Sequence, residues 1–269
     1  MVWVMWRQHR VQVLATAGLL LVLGLVLLVV GESAAAVLGW LPIVPVTVGM
    51  FWGAPLLARE FERGTHRLAW TQSVPRRTWL LAKLGGLGLA VTVAGLAVGL
   101  IVNAWVSAFG GDRFGDAALF GGTGVVVGAW WLFAFLLGTA AGGVTRRLIP
   151  ALAVTVAVFV VALFGMIQAR DEYAEPLRQV SDEVPVGALA AGGAWVSPSG
   201  AEVDEPSVCA DEGRDTYLDC VEKAGYRSVL YYQPAGRYWR FQWTETAILL
   251  LAGVLLAAPV TYRVLRRPV

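Results

Sequence analysis

Apolar runs of about twenty residues recur along this chain, and each is long enough to cross roughly 30 Å of hydrocarbon as a helix. They cover 11–30, 34–58, 84–106, 117–141, 151–168 and 244–260. Lipid offers no hydrogen bonds, so spans of this length must satisfy their own backbone, and helices do so. Composition agrees: 15% of residues are charged, where a soluble domain carries about 25%. The expected fold is an all-α polytopic membrane protein with six transmembrane helices and a large extracytoplasmic loop between the fifth and sixth.

Three regions follow. Residues 1–168 hold a short interfacial turn and helices one to five. Residues 169–243 form the loop domain, and 244–269 form the sixth helix and a tail. The N-terminal stretch MVWVMWRQHR resembles the basic region of a signal peptide, but the run behind it has twenty residues and no convincing small-residue cleavage site with a soluble domain behind it, so a retained helix is expected. Ser33, in the turn just before the second run, is placed to cap the helix start. Pro42, Pro45 and Pro55 kink the helix, since proline removes a backbone N–H. Gly95-x-x-x-Gly99, Gly124-x-x-x-Gly128 and Gly138-x-x-x-Gly142 set small residues on one helix face and permit close packing. Most of the twelve tryptophans lie near the ends of runs, where amphipathic rings favour the headgroup layer.

Orientation comes from the basic residues. With both termini inside, the inner segments hold thirteen of the 21 Lys and Arg and only two of the nineteen Asp and Glu. Arg113 is the one basic residue of the short outer loops, so both termini are expected in the cytosol. Cys209 and Cys220, the two cysteines of the chain, then lie outside, where disulfides persist. A bridge between them would contribute roughly 2–3 kcal/mol.

The most charged short loop is 59–83. It carries Arg59, Arg63, Arg67, Arg76, Arg77 and Lys83 against Glu60 and Glu62. Gly64 suits the C-terminal end of the descending helix and Thr65 the start of the next turn. Ser73-Val74-Pro75 reads as an N-cap followed by proline in the first turn.

Several chemistries are excluded. Neither lysine stands in Gly-Lys-Ser/Thr, so a P-loop nucleotide site is not expected. His9 and His66 fall on the side opposite the cysteines, which removes a Cys-His nucleophile or zinc site; no metal or cofactor is expected in this chain. Basic loops beside a bilayer reflect orientation, and no nucleic-acid partner is expected. Ionisable residues deep in a span would mark an ion relay. Asn103 is the most polar residue at depth, and Glu245 falls at the edge of the sixth run.

Six spans without an ATPase motif, the loop pattern Glu60-x-Glu62-x-Gly64-Thr65 … Pro75-Arg76-Arg77-x-x-Leu80-Leu81-x-Lys83, and Tyr232-Gln233-Pro234-Ala235-Gly236-Arg237-Tyr238-Trp239 … Phe241-Gln242 resemble the ABC-2 type permeases, the membrane subunits of ABC exporters. The first outer loop is shorter than in many relatives. The resemblance implies a permease without its own nucleotide site in a bacterial cytoplasmic membrane. Its partners would be a separate ABC ATP-binding subunit carrying ATP and Mg, a second permease copy or paralogue, and lipid. It also implies that Glu60, Glu62, Arg63, Gly64, Thr65 and Arg67 contact the ATP-binding subunit. A substrate path between protomers would be lined by kinked or uncharged polar positions, with Pro42, Pro45 and Asn103 as candidates. The competing reading is a non-transporting membrane assembly or sensor protein whose external disulfide domain binds a ligand.

Overall fold

The structure, a computed structural model, describes residues 2–62, 76–181, 183–209 and 214–266. The chain forms two compact units: Met1–Gly111 with Ala117–Gln168 and Gln242–Val269, and Asp112–Asp116 with Ala169–Phe241. The protein is mostly helical, and six helical stretches among the described residues are long and apolar enough to cross a membrane: Thr16–Leu38, Leu41–Glu62, Leu80–Phe109, Val126–Thr145, Leu148–Tyr173 and Ala235–Arg263. The all-α expectation needs one correction, because the second unit contains a β-sheet.

In the first unit, helix α1 (Val2–Val30) runs into a 3-10 turn, Gly31–Ala34, and α2 (Ala35–Leu38). Ser33 lies inside that turn, and α2 begins without a side-chain cap, so the expected Ser33 cap is not formed. The turn is held instead by Trp105, whose indole N–H donates to the Gly31 carbonyl at 3.0 Å. Gly31 has φ +58°, a left-handed conformation that glycine adopts without Cβ strain.

The second span is interrupted three times. A 3-10 turn over Leu41–Ile43 precedes α3 (Val44–Val48), a π turn over Gly49–Gly53 follows, and α4 (Ala54–Glu62) ends it. Pro42 and Pro45 both stand in the first turn of their segment, where the missing N–H costs nothing. Pro55 would clash with the carbonyl four residues back; the wider π turn immediately before it relieves that clash.

Helix α5 (Arg76–Phe109) is followed by a short α6 (Ala117–Gly122), α7 (Val126–Thr145) and α8 (Leu148–Ala169). The fourth apolar run is thus two helices with a break at residues 123–125. Helix α7 is the centre of this unit: 83% of its apolar stretch is buried, against 11% for the first span. Its small residues explain this. A Cβ on Gly138 would lie 2.1 Å from the Gly49 carbonyl oxygen, and one on Gly142 would lie 2.4 Å from that of Ala54. On another face, Gly95 and Gly99 of α5 admit Trp131 and the Gly124 carbonyl, at 2.7 and 2.8 Å from their would-be Cβ atoms. The three small-residue motifs are therefore used within one chain. Leu87, Val91, Val98, Trp105, Trp131 and Phe135 lead the buried apolar cluster around them.

The second unit contains a four-stranded antiparallel sheet in the order β1-β4-β2-β3, from β1 (Leu177–Val180), β2 (Leu189–Val196), β3 (Glu202–Val203) and β4 (Arg227–Gln233). The β2–β4 register shifts between Ala190 and Gly193, a bulge that Gly192 permits at φ +125°. Cys209 and Cys220 are joined by a disulfide that ties a 3-10 turn to helix α9 (Arg214–Lys223). The chain continues through β4 and a short turn into α10 (Tyr238–Arg266).

Candidate functional site

Of the six loop residues named from sequence, Glu60 and Glu62 are described; Arg63, Gly64, Thr65 and Arg67, like the expected Ser73 cap, lie outside the described residues. Helix α4 delivers both glutamates one turn or less before its end. Glu60 pairs with Lys83 of α5, with side-chain exposures of 21% and 15% for Glu60 and Lys83, low enough to shield the pair partly from water. Glu62 accepts the Leu148 backbone N–H at 2.8 Å. Leu148 opens α8, so the carboxylate satisfies an orphan donor and sits at the positive end of the helix dipole. Between them, the Arg146 guanidinium lies 5.4 Å from the centre of the Phe61 ring. Arg146 adopts φ +56° as it leaves α7, and its N–H donates to the Gly142 carbonyl at 3.0 Å. One turn of α4 thereby joins the ends of α5, α7 and α8.

The candidate path residues lie elsewhere in this unit. Pro45 is buried, Pro42 and Asn103 are half-buried, and the Asn103 carbonyl accepts the Ser107 hydroxyl at 2.9 Å. Their chain neighbours converge on Gly122 of α6, whose would-be Cβ meets Leu41 at 3.0 Å and Val102 at 3.9 Å.

A second polar constellation is one that sequence reasoning missed. Gln242 and Glu245, three residues apart on α10, are both fully buried. The Gln242 amide oxygen accepts the Val126 N–H at 3.0 Å, while its NH2 donates to the Phe120 carbonyl at 3.1 Å. Glu245 accepts the Trp130 indole N–H at 2.9 Å. Trp130 is itself packed edge-on to Phe133 and Phe159, with centroids 5.9 and 5.4 Å away. Placing Glu245 at a span edge therefore understated it: it is an acid buried within helix packing. The signal was the Gln242-x-x-Glu245-Thr246 spacing at the head of an apolar run, which puts all three on one helix face.

This pair carries a prediction. Trp130→Phe removes the indole donor from Glu245, and Glu245→Leu removes the acceptor of the buried indole N–H, so each should lower stability by about 1–2 kcal/mol. Glu245→Gln keeps an acceptor and should cost least. Thermal unfolding in detergent ranks the three; equal midpoints for Glu245→Leu and wild type would remove any role for the pair in holding α7 to α10.

The second unit has polar anchors of its own. The Gln233 amide donates to the Ala174 carbonyl at 2.6 Å, and Arg237 donates to the Glu175 carbonyl at 2.6 Å. Asp112 accepts the N–H groups of Phe114 and Gly115 at 3.0 and 2.8 Å, a turn that presents Phe114 edge-on to Phe241. Tyr231 donates to Glu202, and that hydrogen bond, with burial added, holds its phenol above the usual tyrosine range. A groove of about 390 Å³ is lined by Trp195, Tyr226, Arg227 and Glu222 among others.

A family model described as ABC-2 membrane transporter related matches residues 29–170, from the end of α1 to the end of α8. No curated protein and no solved structure matches the chain.

Proposed function

Because the chain belongs to the ABC-2 membrane transporter related family, a family of multi-pass permeases, we propose that it is the membrane subunit of an ATP-driven exporter, coupled to a separate ATP-binding subunit through loop 59–83. The observation that carries this reading is the bracing of α4 at the base of that loop. A push on a loop tethered at one point would bend the loop. A push on a loop whose base is tied to α5 by Glu60–Lys83 and to α8 by Glu62–Leu148 moves several helices together. In this reading Glu60, Glu62, Arg63, Gly64, Thr65 and Arg67 form the contact surface, and ATP and Mg belong to the partner. The loop and both termini face the cytoplasm of a bacterial cell, as the basic residues ask, and the disulfide-bonded unit faces outward. Two permeases, identical or paralogous, would enclose the substrate path, with Pro42, Pro45 and Asn103 beside it.

The test begins with the purified chain, which should hydrolyse no ATP alone and should co-purify with its cognate ATP-binding subunit. Alanine at both Glu60 and Glu62 should weaken that complex about tenfold, since charge contacts at an interface are commonly worth more than 1.4 kcal/mol. Glu60→Lys combined with Lys83→Glu restores the internal ion pair but reverses the charge offered to the partner, so it should remain weak. Full recovery in the swap would make Glu60 a brace only. A chain that captures no ATP-binding subunit would return the question to the sensor reading, for which the groove beside Trp195 is the place to seek a ligand.

A further inference from the structure

The break in the fourth span is a place where the helix could have continued. In an unbroken α-helix the Val126 N–H would bond to the Gly122 carbonyl, and the Phe120 carbonyl would accept from Gly124. Neither happens, because the chain turns through Gly124 at φ +68°, a left-handed step. The Thr123 hydroxyl donates to the Leu119 carbonyl at 2.6 Å, a local bond that competes with helix continuation. Helix α7 starts without a side-chain cap from its own chain neighbour Val125. A broken helix in hydrocarbon persists only where other groups take up the freed backbone donors and acceptors. One side chain takes up one of each here: Gln242, fully buried, bonds Val126 N–H and the Phe120 carbonyl at once. An amide is suited to this because it carries a donor and an acceptor on one planar group. The same helix face also reaches α7 one turn on, through Glu245 and Trp130.

We propose that Gln242 is a positioning residue of the transport cycle, the pin of a joint at residues 123–125 that holds α6 and α7 apart and makes them move with α10. The proposal rests on the permease reading for its role in transport, and on the two hydrogen bonds for the pin itself. Phe120, Gly124 and Val126 fall inside the family match and Gln242 falls outside it, so the pin joins the shared transmembrane region to the last helix.

The experiment places spin labels at Ala117→Cys and Val144→Cys, both exposed, in a chain whose native cysteines are already bridged. Distances are measured in lipid nanodiscs, for the permease alone and for its complex with the cognate ATP-binding subunit, before and after trapping with ATP and vanadate. A continuous helix would set these two positions, 27 residue steps apart, about 40 Å from each other. Wild type should give a shorter distance at rest and a different one when trapped. Gln242→Met, which fills the same space without either hydrogen bond, should give about 40 Å in both states, and Gln242→Glu, which in its protonated form keeps a donor and an acceptor, should restore the wild-type pair of distances. If Gln242→Met does not accumulate, Gln242→Asn, too short to reach both groups, serves the same comparison. Wild-type distances in the variant overturn the pin, and an unchanged distance in a wild-type complex that hydrolyses ATP overturns the joint. Failure to capture any ATP-binding subunit sinks the permease reading instead, and the resting distances of wild type and variant still decide the pin.

Discussion

Leucine at Gly138 is expected to leave almost no folded protein in the membrane, and alanine there is expected to be severely destabilising already. The reason is what a Cβ would meet: the Gly49 carbonyl oxygen at 2.1 Å, the Gly49 carbonyl carbon at 2.8 Å and the Ala54 nitrogen at 2.9 Å. All three are backbone atoms, so no side chain can rotate out of the way. Extra methylenes in a packed core cost about 1–3 kcal/mol and sometimes more, a large part of the 5–15 kcal/mol by which proteins are stable. Here the displaced atoms belong to the π turn and to the first residue of α4, so α4 and the glutamates at its end would move with them. Gly165→Ala is the control, since nothing lies within 4 Å of its would-be Cβ. Yield of monodisperse protein and the unfolding midpoint give the readout. A Gly138→Ala protein as stable as wild type would mean that α7 does not approach the second span this closely.

The disulfide carries the second large effect. Serine at both Cys209 and Cys220 should destabilise the sheet-bearing unit by about 3 kcal/mol, from the loop-closure entropy of a bridge spanning 11 positions. Cys209 is fully buried, so the substitution also buries a hydroxyl where a sulfur sat. The measurement is limited proteolysis and thermal unfolding under non-reducing conditions, comparing cleavage within 200–226 in the two proteins. An unchanged cleavage rate would show that α9 and the sheet stay joined without the bridge. The apolar spans should be untouched, and a Glu60→Ala, Glu62→Ala protein provides the reverse case: its second unit should resist protease as wild type does.

Much of the membrane architecture was legible because hydrocarbon imposes a length and a composition that a sequence displays directly. The interruption of the second span could be read from Pro42, Pro45 and Pro55, since proline's missing N–H acts whatever surrounds it. The family resemblance was legible in loop 59–83, which lies inside the family match, whereas the Tyr232–Gln242 segment lies outside it. Other features were not. Trp130 and Trp131 stand in the middle of the fourth apolar run, where composition does not say which way a ring faces, and both are buried. Glu60 and Glu62 read as contacts for an ATP-binding subunit, and the sequence did not show that each also has a partner within the chain at Lys83 or Leu148, residues 23 and 86 positions away. No local pattern encodes a partner at that separation.

The order of helices, their approximate lengths and the presence of a polar, cysteine-bearing segment between the fifth and sixth follow from the sequence alone, because each depends on local hydrophobicity or on a single residue's backbone chemistry. The sheet within that segment, the break at residues 123–125 and the burial of Gln242 and Glu245 were decided only in three dimensions. Residues 123–125 contain one glycine among many in this chain, and glycine permits a left-handed turn without requiring it. What makes the turn hold is a glutamine 116 residues from the backbone N–H it accepts, and that meeting exists only once the helices have packed.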